Sequence, residues 1–214
     1  GFTAGDVSTA PLRFALRALG HRPAPWGLGL NVGPDDETVR QLLRRLDQLV
    51  QQNGGPIDIV GWSLGGIMAR LLALHHPDRV RQAISLGSPI RVEDPEANLS
   101  ESVRRLSQLA GLQRGRRGHD LTEIPVPSTV IYSRQDGVVA PASCLQPVGP
   151  TAENIEVRGA HIGLGHNPAA VWAVADRLAQ RDGEWAPFEP PSAMAWCYPD
   201  PDRAPEPVPR PAGT

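Results

Sequence analysis

Short apolar runs and longer helical periods take turns along this chain. Leu12, Leu16 and Leu19 share a face in a run that begins near Pro11 and stops at Gly20, with Ser8 or Thr9 placed to cap it. Residues 21–26 are expected to form a short strand, and residues 27–34 a Gly-rich loop. Asp35, Asp36 and Glu37 then put negative charge at a helix start, where it suits the macrodipole. Val39, Leu42, Leu43, Leu46, Leu49 and Val50 recur at helical spacing up to Asn53-Gly54-Gly55. Residues 56–61 read as a buried strand, 63–75 as a helix ended by His76-Pro77, and 80–86 as the next strand. Further strands are expected over 130–133 and 155–157, and a closing helix over 169–178. This alternation predicts an α/β fold with a doubly wound, mostly parallel sheet.

Two segments interrupt the alternation. Residues 91–123 carry Val103, Leu106, Leu109, Ala110 and Leu112 on one helical face, which predicts a short helical insertion over the carboxyl edge of the sheet. It reads either as a small lid over a ligand or as a helix packed permanently on the core. Residues 184–214 are rich in proline and lack a period. Trp185, Phe188, Trp196 and Tyr198 are candidates to pack on the core, and the chain from about Pro199 reads as disordered. The expected organisation is a core over 1–183, with the insertion inside it, and a C-terminal tail over 184–214.

Chemistry concentrates at Gly61-Trp62-Ser63-Leu64-Gly65-Gly66. An apolar run precedes it and a helical run follows, so Ser63 stands at the apex of a sharp strand-to-helix turn. Such a turn strains the serine backbone, and small residues two positions before and after let strand and helix approach closely. The helix N-terminus offers free N–H groups to a developing oxyanion. Trp62 either lines the pocket or packs beneath the turn; strand alternation, which points it away from Ser63, favours packing.

A serine hydroxyl is a weak nucleophile and needs a base, which a carboxylate then orients. In this topology the order along the chain is Ser, then Asp or Glu, then His, each just after a strand. Asp136, in Ser133-Arg134-Gln135-Asp136-Gly137, and His161, in Arg158-Gly159-Ala160-His161, meet that order. Asp136-Gly137 is also an ordinary turn dipeptide, and His166 competes with His161 but stands beside Asn167-Pro168, where it suits a helix start. His75 and His76 read as structural, and His21 and His119 lie away from strand ends.

Composition removes several alternatives. The chain of 214 residues suits one domain with a real core, and its formal charge of −2 gives no sign of nucleic-acid binding. No apolar stretch is long enough to span a membrane. All 21 basic residues are arginine, which excludes Schiff-base and phosphate-loop lysines. Cys144 and Cys197 make no metal site; they are either two thiols or one disulfide. No cofactor and no metal are expected. The cluster Arg114-Gly115-Arg116-Arg117 reads as a solvated loop, with an anion site as the alternative. Oligomeric state is open, and so is the compartment, with the cytoplasm slightly preferred.

Taken together, Gly1-Phe2 before the first helix, the Ser63 elbow, Gly87-Ser88-Pro89, the Asp136 loop and the His161 loop resemble the α/β-hydrolases of the serine esterase and lipase kind. The resemblance covers most of residues 1–180. It implies a small-molecule or lipid ester as substrate, an acyl-enzyme on Ser63, and an oxyanion hole made by the backbone N–H groups of Leu64 and Phe2. An acyltransferase, or a ligand-binding protein of the same fold without turnover, would share these residues. The family's first three strands would lie before Gly1, with the third between the strand at 21–26 and the strand leading to Ser63. The sequence is therefore expected to be a fragment of a longer protein.

Overall fold

A computed structural model describes residues 4–30, 36–91 and 121–199. The predicted insertion helix, the arginine cluster, Phe2 and the chain beyond Pro199 lie outside these residues. Four parallel strands form one sheet in the order β1-β2-β3-β4. They are β1 (Ile57–Trp62), β2 (Val80–Leu86), β3 (Ser128–Tyr132) and β4 (Ala152–Glu156). The helices are α1 (Ala10–Ala18), α2 (Asp36–Asn53), α3 (Leu64–His75), the single turn α4 (Pro141–Cys144) and α5 (Pro168–Leu178).

Alternation along the strands sorts the core into two layers. Ile84, Leu86, Ile131 and Ile155 point to one face, where Leu12 and Leu16 of α1 and Ala170, Ala173 and Val174 of α5 cover them. Val130 and Tyr132 point to the other face, against Ile67 and Met68 of α3. Leu46 of α2 joins Ala83 and Val80 on that side. Helices on both faces make the sheet doubly wound, as the pattern predicts.

Element boundaries follow local chemistry with instructive exceptions. Gly20 ends α1 at φ 91°, its N–H bonded to Arg17, as a left-handed C-terminal glycine does. Thr9 occupies the N-cap of α1 but makes no side-chain capping bond; its hydroxyl donates to the Asp6 carbonyl in the preceding 3-10 turn. β4 starts three residues earlier than its apolar run, because its polar residues find partners. Glu153 accepts from Arg177, and Asn154 exchanges bonds with the Gln146 backbone.

The strand expected over residues 21–26 does not form. Pro23 and Pro25 remove two ladder donors, and side chains hold the segment instead. Arg17 and Arg45 donate to the Pro23 and Pro25 carbonyls, while Asp6 accepts from Trp26 and Gly27 N–H groups. Among the described residues no strand lies between this segment and β1, where the resemblance places one. That position holds an open cavity of about 1020 Å³, lined by Pro23, Trp26, Leu46, Ile57 and Ile59 among others. Ser63, Asp136 and His161 are not in its lining.

Buried arginines tie loops to this frame. Arg70 of α3, fully buried, donates to the Leu121 and Thr122 carbonyls and, at 2.7 Å, to Gln146. It thereby fixes the chain where residues 121–127 re-enter the sheet. Arg177 of α5 pairs with Glu153 at 2.7 Å and donates to the Ala186 carbonyl, while Glu153 accepts from Phe188 N–H. This network lays the segment after α5 along the core. Phe188 and Tyr198 pack there with ring centroids 4.9 Å apart, but Trp196, expected to join them, is 77% exposed. Cys144 and Cys197 are both free thiols.

Candidate functional site

The carboxyl ends of β1, β2 and β3 and the loop after β4 meet at one point. Ser63 follows β1 with φ 56° and ψ −122°, and among the described residues it alone has positive φ without being glycine. Such backbone costs on the order of 1–3 kcal/mol and persists only where surrounding structure enforces it. Here Ser63 N–H donates to Leu86 at the end of β2, and Gly66 N–H returns to the Ser63 carbonyl. The side chain stays partly exposed.

The glycines around the serine divide the work differently from the sequence expectation. A Cβ on Gly61 would lie 2.2 Å from the Gly65 carbonyl oxygen, so β1 and α3 meet backbone to backbone there. A Cβ on Gly66 would lie 2.0 Å from Ser88 Oγ. At Gly65, two positions after the serine, an added Cβ meets nothing within 4 Å. The close approach of β1 and α3 therefore needs Gly61, Gly66 lets α3 lie against β2 and the loop after it, and Gly65 contributes its carbonyl rather than its lack of a side chain. Leu64 opens α3, so its N–H lacks an intrahelical acceptor and stands beside Ser63. Phe2 is outside the described residues.

Asp136 and His161 come together. Asp136 Oδ2 and His161 Nδ1 are 2.6 Å apart, with side chains only 2% and 10% exposed. Val138 and Val139 N–H groups both donate to the other carboxylate oxygen at 2.8 Å. Burial alone would raise the Asp136 carboxyl; the bonds from His161, Val139 and Val138 outweigh it and hold its pKa below the ordinary aspartate value. A carboxylate held ionised only accepts, so the proton of this bond belongs to Nδ1, and Nε2 is the nitrogen left to accept from a hydroxyl. His166, the competitor, is exposed and stands edge-on to Trp62 instead.

Other residues of the site have contacts that a sequence reading does not give. Gly87, at φ 52°, follows the last residue of β2. A Cβ there would lie 3.1 Å from Asp136 Oδ2, 3.2 Å from His161 Nδ1 and 2.7 Å from Leu164. Asn167 closes the His161 loop at both ends: its Nδ2 donates to Arg158, and its Oδ1 caps α5 through Ala169 and Ala170 N–H groups. The helix start that His166 was expected to shape is thus made by Asn167. Trp62 packs on the core and against the 161–166 loop, its Nε1–H donating to the His161 carbonyl. A glycine straight after the β2 apolar run and an Asn before Pro168 were available as local signals, but the groups they meet were not. Burial, reinforced by the charge of Asp136, pushes the Cys144 thiol up to about 12, which leaves it an inert packing group.

A doubly wound parallel sheet with a strained serine after one strand and a bonded Asp–His pair after later ones defines a class of α/β proteins. The chain belongs to the α/β hydrolase fold family, whose sequence pattern matches residues 14–121. A curated relative, a pimeloyl-[acyl-carrier protein] methyl ester esterase of Neisseria meningitidis, is 38% identical over 82 residues. That match covers 38% of this chain and 28% of the relative, so the chain spans well under half the length of the curated relatives it matches. Among solved structures, a monoacylglycerol lipase of Paleococcus ferrophilus superposes with TM-score 0.55 at 13% identity, covering 83% of this chain and 91% of that one. A pyrethroid hydrolase superposes with TM-score 0.56 at 18% identity, covering 82% and 93%. At such identities these two show the shared fold.

Proposed function

We propose that this chain carries the site of a carboxylic-ester hydrolase that works through Ser63, His161 and Asp136. The observation that carries the reading is the 2.6 Å Asp136–His161 bond, at the same sheet edge as the strained Ser63. Ser63 Oγ attacks the ester carbonyl carbon while His161 Nε2 takes its proton. Asp136 holds the imidazole and stabilises the imidazolium that forms. The tetrahedral oxyanion is held by Leu64 N–H, with Phe2 N–H as the second donor; losing one such donor raises the barrier by about 3 kcal/mol. Collapse expels the alcohol, which takes its proton from His161. Water then repeats the sequence on the acyl-enzyme and frees the acid.

The curated relatives are named for a methyl ester, which supports a substrate with a small alcohol group. The test is turnover of p-nitrophenyl esters from acetate to long acyl chains, with Ser63→Ala and His161→Ala alongside. Hydrolysis that falls at least about 10³-fold in both variants is expected. Hydrolysis that survives either substitution contradicts the mechanism. A folded protein with no hydrolysis contradicts the ester hydrolase and favours a binding role or acyl transfer to another acceptor.

A further inference from the structure

Trp62 ends β1, one residue before Ser63, and its indole crosses to the loop that carries His161. Nε1–H donates to the His161 main-chain carbonyl at 3.2 Å. The ring stands 6.4 Å from the His161 imidazole, tilted by 44°, and 6.3 Å from the His166 ring, edge-on at 86°. Gly165 lies flat against it: a Cβ there would be 2.7 Å from the indole. The residue therefore grips the 161–166 turn by a hydrogen bond at one end and by packing at the other.

That grip does something the Asp136 bond does not. Asp136 fixes how the imidazole is turned, through Nδ1, while the His161 backbone is held separately, by the Asn167 ties, by Leu164 in the core and by the Trp62 bond to its carbonyl. The Trp62 bond reaches that backbone from the strand that delivers the nucleophile. We infer that Trp62 is a positioning residue for the base, coupling the His161 backbone to β1 so that Ser63 Oγ and His161 Nε2 keep their separation during turnover. The inference rests on the reading of Ser63 and His161 as nucleophile and base. An offset of about 1 Å between reacting groups costs up to about a hundredfold in rate, and a longer path from serine to imidazole slows the chemical step without touching substrate binding.

The experiment is steady-state hydrolysis of p-nitrophenyl acetate by Trp62→Phe, Gly165→Ala and Ser63→Ala, with a thermal transition for each. Trp62→Phe keeps most of the ring and loses the donor; Gly165→Ala keeps the donor and pushes the ring away. Both are expected to lower kcat by about tenfold with KM held within about twofold, and to keep a cooperative transition. Wild-type kcat in both variants, or a loss that appears in KM alone, overturns the inference. If Trp62→Phe unfolds, Gly165→Ala decides by the same criterion. Full activity in Ser63→Ala sinks the underlying mechanism and the inference with it. A dead Ser63→Ala beside wild-type kcat in Trp62→Phe and Gly165→Ala sinks the role of Trp62 alone.

Discussion

Ser63 and Asp136 show how the surrounding structure sets the state of single residues. The serine backbone sits at φ 56° because β1, β2 and α3 leave it no other path. The Asp136 carboxylate is buried yet ionised, because two backbone N–H groups and His161 donate to it. This second state has a measurable consequence. Its folded pKa lies below the unfolded one, so the unfolded chain takes up the proton first as pH falls. The stabilisation is fully present above about pH 4, the ordinary aspartate range, and is lost as pH drops through the folded value. Melting temperatures of wild type and Asp136→Asn should therefore converge on acidification below about pH 4. A constant gap across that range would mean that Asp136 is not held ionised by its donors.

At the scale of elements, the join between β1 and α3 is decided by Gly61, while Gly66 seats α3 against β2 and the loop after it. Gly61→Ala pushes a methyl group into the Gly65 backbone and is expected to cost at least about 2 kcal/mol by urea denaturation. Gly65→Ala meets open space in the first turn of a helix and should leave stability unchanged or raised by up to about 1 kcal/mol. Equal losses in the two variants would contradict the backbone-to-backbone contact. The same scale shows where local pattern is a good guide. β2 runs over the residues its apolar run marks, because both its faces are covered. Residues 21–26 were expected as a strand; Pro23 and Pro25 already argued against pairing, while the side chains of Asp6, Arg17 and Arg45 that hold the segment instead lie on other elements. The polar start of β4 was hidden for a like reason: Glu153 and Asn154 are satisfied by Arg177 and by Gln146, neither adjacent in sequence.

For the whole molecule, the candidate site and the C-terminal segment are both held by long-range polar ties. Arg177, 3% exposed, joins α5 to β4 through Glu153 and to the following segment through the Ala186 carbonyl. Removing one partner of such a buried pair costs about 3–5 kcal/mol. Arg177→Met should lower stability by that order and expose residues 186–198 to limited proteolysis before the core is cut. Cleavage that begins in the core would contradict the tie. Asp136 and His161, which the structure brings together, could be singled out from the chain because each follows a strand in the order the topology leads one to expect. The partners of Gly87, Asn167 and Trp62 could not, because each of these residues acts through a group on another strand or loop. The most direct test of Ser63 as an activated nucleophile is mass spectrometry after exposure to a fluorophosphonate. A single adduct on the Ser63 peptide, lost in His161→Ala with the fold intact, is the expected result. An adduct on another residue, or none on a folded chain, would contradict it.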